Sequence, residues 1–131
     1  MADHYKLQNL KEVEDQAPNF GLSPNVEARM ARVPLELENS GVSYLRLAPN
    51  YRVPFGHNHN VQEELYVLVS GGARLKLDDE IVELKPFDAV RIHKDTMRNL
   101  EGGPEGGEVI AFGAPNTGPG DGPMTADWWT D

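Results

Sequence analysis

Hydrophobic and polar positions alternate along "ARLKLDDEIVEL" (73–84), so that Leu75 and Leu77 fall on one face and Arg74 and Lys76 on the other. That period of two predicts a half-buried strand, and Asp78-Asp79-Glu80 supplies the turn that closes it into a hairpin. The segments "VEARMARV", "VSYLRLA", "EELYVLVS", "DAVRI" and "EVIAFG" have the same strand-like content. Between them stand Pro34, "ENSG", "APN", "SGG", "KPF", "HKDT" and "EGGPEGG", all turn chemistry. Seven or eight short strands at such spacing predict an antiparallel sandwich or barrel with almost no helix. The expected core is Leu45, Leu47, Leu65, Val67, Leu68, Leu75, Leu77, Val90, Ile92, Ile110 and Phe112.

The two ends do not continue the pattern. Residues 1–25 are polar and broken by Pro18, Gly21 and Pro24, which predicts a loose arm. Residues 116–131 are rich in Gly and Pro and predict a flexible tail that carries Trp128 and Trp129 and packs these aromatics somewhere. A single domain over 26–115 remains, and 131 residues suffice for one real core. The 13 Gly and 10 Pro are more turn formers than a helical bundle tolerates, which again favours strands.

Charge and composition remove several functions. With 21 acidic against 12 basic residues, the net charge of -9 repels phosphate backbones and anionic lipids, so no nucleic acid and no membrane surface is expected as a partner. The absence of Cys excludes disulfides, thiolate ligands and a cysteine nucleophile together. No apolar stretch opens the chain, and the longest apolar run is Leu65 to Val69, so the chain reads as soluble and cytoplasmic. Ser23, Ser40, Ser43 and Ser70 lack the Gly-x-Ser-x-Gly surroundings of a serine nucleophile.

The chemistry concentrates in "FGHNHNVQEELYVLVSGG" (55–72). Residues two apart on a strand point to the same side, so His57 and His59 can present both imidazoles to one point. A neighbouring antiparallel strand that begins near Glu64 can bring its carboxylate to that point. Two neutral imidazoles and a carboxylate suit Fe(II), Mn(II), Ni(II) or Zn(II). A solvated turn of the same composition is the plain alternative.

The spacing H-x-H, four residues, E, six residues, G, here His57, His59, Glu64 and Gly71, resembles the first signature of the cupin superfamily. The similarity extends over roughly Glu27 to Pro115. It implies a double-stranded β-helix, a jelly-roll barrel that holds a divalent metal inside, with His57 and His59 as imidazole ligands and Glu64 as the carboxylate ligand. Tyr66 and Leu68, in phase with Glu64, would line the pocket. The pattern departs at Tyr51, where the family has Gly. It departs again at Phe87, His93, Asp95, Arg98 and Gly102, the five marked positions of the second signature.

Of these departures Arg98 matters most, because it stands where the family places a fourth ligand, a histidine. A guanidinium stays protonated and cannot donate a lone pair to a metal. Three arrangements avoid its repulsion of an ion: a pair with Glu64 in a metal-free pocket, a swing aside that leaves a three-ligand site, or a shared anionic ligand. Arg98 and Tyr66 are candidate ligand-binding residues; His93, at the end of its strand near the barrel mouth, is a third, with a fourth metal ligand as its alternative role. Two functions follow. One is a metal-dependent oxygenase, isomerase or lyase acting on a small molecule through Zn, Ni, Fe or Mn; the other is a metal-free module that binds a small anionic or hydroxylated ligand with Arg98 as clamp. Three matching ligands outweigh one missing, which favours metal, and Arg98→His is then expected to raise metal affinity with little loss of stability. The resemblance also implies a homodimer, with "EARMARV" as the exchanged strand.

Overall fold

The computed structural model describes residues 4–116, 118 and 120–130, and it is a curled antiparallel β-barrel of jelly-roll type. Among the described residues eight strands run in the order β1 (Val26–Met30), β2 (Gly41–Leu47), β3 (Phe55–His57), β4 (Glu63–Leu77), β5 (Glu80–Leu84), β6 (Ala89–Ile92), β7 (Arg98–Ala114) and β8 (Met124–Ala126). The helical content among the described residues is two short 3-10 turns, Leu10–Glu12 and Ala17–Phe20. None of these helices is long and apolar enough to cross a membrane.

Two strands are far longer than the sequence pattern predicts. β4 runs straight through "SGG" and β7 through "EGGPEGG", both expected as turns. Each strand bends at its glycines and serves both layers of the barrel. The first part of β4 pairs with β6 and with the second part of β7, which in turn pairs with β2 and so with β1. The second part of β4 pairs with β5 and with the first part of β7, beside which lie β3 and β8. The register slips between Gly71 and Ala73, where Gly71↔Gly107 gives way to Ala73↔Gly102 and leaves 103–106 as a bulge. Gly71 sits there at φ 75°, and a Cβ on it would lie 2.3 Å from the Gly106 carbonyl oxygen. Glycine makes the corner because no side chain fits it.

The core confirms part of the expected set. Leu47, Leu68, Leu75 and Ile92 are buried, and Leu45, Leu77 and Val90 pack against them. Leu65, Val67, Ile110 and Phe112 do not belong there. They pair as Leu65↔Phe112 and Val67↔Ile110, in the opposite phase to the inward rows Tyr66↔Ala111 and Leu68↔Val109. Strand alternation therefore sends them to the outer face, where Phe112 is 42% exposed. Their hydrophobicity suggested the core, but phase decides.

Both ends are packed. Val13, Ala17 and Leu22 of the N-terminal segment are buried, and the Asp15 carboxylate accepts from the Ala17 and Ala28 N–H groups, both at 2.9 Å. β1 pairs over its full length with β2 of the same chain. The C-terminal segment adds β8 to the edge of β3 and buries Trp129. Three widely spaced apolar anchors in one segment and a Trp pair in the other give no periodic signal, so neither was readable as packed structure.

Candidate metal centre

β3 ends at His57, whose Cα partners are Arg98 on one side and Met124 on the other. After a loop of five residues the chain enters β4, where Glu64 is the first inward residue, opposite Gly113 and Ile92. Glu64 therefore projects from one layer of the barrel, and His57 and Arg98 from the other. The two imidazoles meet nearly at right angles, 87° between ring planes with centroids 5.0 Å apart, so they converge rather than stack. His57, His59 and Glu64 each offer a ligand atom within 4.8 Å of the others.

One carboxylate oxygen is the hub of the cluster. Glu64 Oε1 lies 3.2 Å from His59 Nε2, 3.6 Å from His57 Nε2 and 2.5 Å from Arg98 Nη1. These separations would let the two imidazole nitrogens and the carboxylate oxygen be shared by one divalent ion. His59 fixes the chemistry further. Its Nδ1 lies 2.8 Å from the Asp121 carbonyl oxygen, which can only accept, so Nδ1 carries the proton and Nε2 keeps the lone pair. That Nε2 is buried without a hydrogen-bond partner and faces a carboxylate oxygen. Two lone pairs opposed at this distance call for a cation between them, a proton or a metal ion. By donor set, spacing and tautomer, the residues fit a divalent transition metal.

Protonation equilibria report the same opposition. Burial alone would lower the His59 pKa, but contact with Glu64 and its charge outweigh burial and raise it above the ordinary imidazole value. Burial works in the opposite sense on Glu64, yet the two histidines hold its carboxyl well below the usual carboxylate range. Tyr66, the next inward residue of β4, is buried beside Glu64 and Arg98; burial first and the Glu64 charge second push its phenol well above the ordinary value.

Arg98 is completely buried and held from several sides. Nε donates to the Thr96 carbonyl at 3.0 Å, Nη2 to the carbonyls of Thr96 and His93 at 2.8 and 2.9 Å, and Nη1 to Glu64. Of the three arrangements open to it, the structure has the pair with Glu64. His93 contributes only its carbonyl here. Its ring is largely exposed, accepts from the Asp95 N–H at 3.2 Å and borders a groove of about 470 Å³ with Leu77, Asp78 and Arg91, outside the His57–His59–Glu64 cluster.

Asp121 and Gln62 are the site residues that sequence reasoning missed. The Asp121 carboxylate accepts from the N–H groups of Val61 and Gln62 at 3.1 and 3.0 Å and approaches His59 Nδ1 at 3.3 Å. The Gln62 side-chain amide lies 3.0 Å from the same nitrogen; with Nδ1 protonated, the end that belongs there is the amide oxygen, which otherwise has no partner, and the side chain fills the space over Gly113. A single acid between two glycines in a Gly/Pro-rich stretch reads as linker, so nothing local marks Asp121.

Comparison with solved structures supports the fold. A cupin protein from Bacteroides fragilis superposes with a TM-score of 0.71 at 22% identity, over 100% of this chain and 99% of its own. A variant of Streptomyces PAC13 with uridine gives 0.74 at 14% identity, over 96% of this chain and 93% of its own. Oxalate decarboxylase from Bacillus subtilis gives 0.68 at 20% identity, over 86% of this chain and 31% of the longer enzyme. No protein-family model matches the sequence, and no curated protein does. The jelly roll of this chain is thus the fold of these cupin structures, and inside it, among the described residues, lies a His-His-Glu cluster.

Proposed function

We propose that this barrel binds a divalent transition metal through His57, His59 and Glu64 and uses it to hold and polarise a small anionic molecule. The observation that carries the reading is the convergence of His57 Nε2 and His59 Nε2 on Glu64 Oε1, at 3.6 and 3.2 Å, inside the barrel. The anionic character of the ligand follows from charge. Arg98 already neutralises Glu64, so the charge of a bound ion is not balanced by the protein interior, and an anion at the open coordination position balances it. An ion in this position supplies a Lewis acid. Glu64 is kept ionised by its neighbours, Arg98 holds its carboxylate in place, and Tyr66 keeps a protonated phenol beside it.

A second reading is favoured by one contact. Because Arg98 satisfies Glu64 directly at 2.5 Å, the pocket can be stable without metal and bind its anion through His57 and Tyr66 instead. Elemental analysis of protein purified without an affinity tag, followed by calorimetric titration with Zn(II), Ni(II) and Mn(II), separates the two. Stoichiometric metal that is lost in His59→Ala supports the first; no uptake of any of these ions rejects it.

We also infer that the protein pairs with a second copy through its outer sheet face. Val42, Phe112 and Leu65 form one row by register, with Ile110 and Val67 beside it, an apolar patch on the central strands; Tyr44, which continues the second row, is buried and lies at its edge.

A further inference from the structure

The segment from Asp121 to Trp129 runs beside Arg52–Gln62, the stretch that carries both histidines, and touches it at nearly every step. The Asp121 carboxylate takes the Val61 and Gln62 N–H groups, and its carbonyl takes His59 Nδ1–H. Gly122 follows at φ 130°, where a Cβ would lie 2.1 Å from the Asn58 carbonyl oxygen, so the backbones press together without room for a side chain. Met124, Thr125 and Ala126 then pair with His57, Gly56 and Phe55. The Asp127 N–H donates to the Pro54 carbonyl at 2.9 Å, and Trp128 packs over Gly56, where a Cβ would be 2.7 Å from the indole.

The far end is anchored. Trp129 is buried, its carbonyl accepts from Arg52 Nη1 at 3.0 Å, and its ring lies 4.2 Å from the Arg52 guanidinium and 5.3 Å from that of Arg74. Glu101 bridges the two arginines, at 2.9 and 2.8 Å. The strap is thus fixed at Trp129 and latched at Asp121, and what lies under the latch is the loop between the first two metal-site residues and the third. Apart from His59 N–H to the Lys94 carbonyl, the backbone donors of 58–62 that find an acceptor among the described residues find it on Asp121.

We propose that Asp121 is a positioning residue and that the C-terminal strap is an integral part of the metal centre. Its carboxylate pins the loop, the pinned loop brings His59 Nδ1–H to the Asp121 carbonyl, and that bond leaves Nε2 as the lone-pair nitrogen facing Glu64. Partners of this kind on the second nitrogen of a ligating imidazole are worth about 10- to 100-fold in metal affinity. The inference rests on the metal reading above, so its test includes a readout that needs no metal.

The test compares wild type with Asp121→Ala and Asp121→Asn, by Zn(II) titration and by nitrogen NMR of the His59 imidazole in the metal-free proteins at alkaline pH. Asp121→Ala is expected to bind Zn(II) about 10- to 100-fold more weakly and to lose the single Nδ1–H tautomer. Asp121→Asn, whose side-chain oxygen still accepts from the loop, is expected to retain most of both. Unchanged affinity with an unchanged tautomer in Asp121→Ala overturns the proposal. So does weakened affinity with an unchanged tautomer, which reduces the strap to packing. If wild type takes up no Zn(II) while Asp121→Ala still loses the tautomer, the metal reading falls and the latch stands.

Discussion

Arg98 and Glu64 form an ion pair across the barrel interior, with the guanidinium completely buried and the carboxylate nearly so. An arginine in that setting is a fixed part of the structure. Arg98→His would leave Glu64 and the carbonyls of Thr96 and His93 without their donors. Breaking a buried pair from one side costs about 3 to 5 kcal/mol. The expectation from sequence of little loss of stability is corrected by this geometry, while the gain of metal affinity stands as a prediction. The variant should melt well below wild type when metal-free and recover much of that loss with Zn(II), because a bound ion stabilises the folded state it binds. Paired thermal melts with and without metal check both halves of the statement.

The two histidines should differ in what they cost. His57→Ala and His59→Ala are each expected to abolish stoichiometric metal binding. His57 is the more exposed of the two, so its loss should leave the apo melting point nearly unchanged. His59→Ala removes a mostly buried ring that bridges the Asp121 strap and Glu64, and it should destabilise by about 1 to 2 kcal/mol. Urea melts of the metal-free variants read this difference.

Acid should act on metal and fold in opposite senses over one window. The folded-state pKa of His59 is raised above its ordinary 6.5, so its pairing with Glu64 stabilises the apo protein fully below that value and fades as pH rises through the raised one. The Glu64 pKa is depressed, so its contribution is present above its ordinary 4.5 and is lost as pH falls through the depressed value. Metal must displace the His59 proton, so the rise in melting temperature given by Zn(II) should grow with pH over the range in which the apo protein loses His59 stabilisation. A Zn(II) effect independent of pH across this range would count against His59 as a ligand.

The outer face offers a direct test of assembly. Phe112→Glu places a charge in the middle of the apolar rows without touching the inward phase, so the fold should persist while the copies separate. Light scattering should show wild type at twice the 14.5 kDa chain mass and the variant at that mass. A monomeric wild type at micromolar concentration would remove the dimer.

Much of this site was legible in the sequence because the information was local. His57, His59 and Glu64 lie within one short segment, and strand phase alone brings Glu64 and Tyr66 inward and sends Leu65 and Val67 out. The same phase rule moves all four of Leu65, Val67, Ile110 and Phe112 out of the expected core, against their apolar character. What was not legible is long-range. Nothing near Arg98 reveals that it meets Glu64, thirty-four residues earlier, and nothing near Asp121 reveals a partner some sixty residues earlier. The glycines of "SGG" and "EGGPEGG" have the composition of reverse turns, and only their mutual contact makes them a bend inside continuous strands.

That bend decides where the chain can be opened. Because β4 and β7 each serve both layers, a break or insertion at Gly71 interrupts the two layers at once, and neither remaining fragment holds a complete sheet. The turn at 85–88 is different: Phe87 is 80% exposed, and the strands it joins, β5 and β6, each pair with β4 alone. New termini placed there leave every member of the His57–His59–Glu64–Arg98–Asp121 constellation on one uninterrupted side or the other of the cut. A circularly permuted chain opened in that turn should therefore still assemble the pocket, whereas one opened at the glycine corner should not.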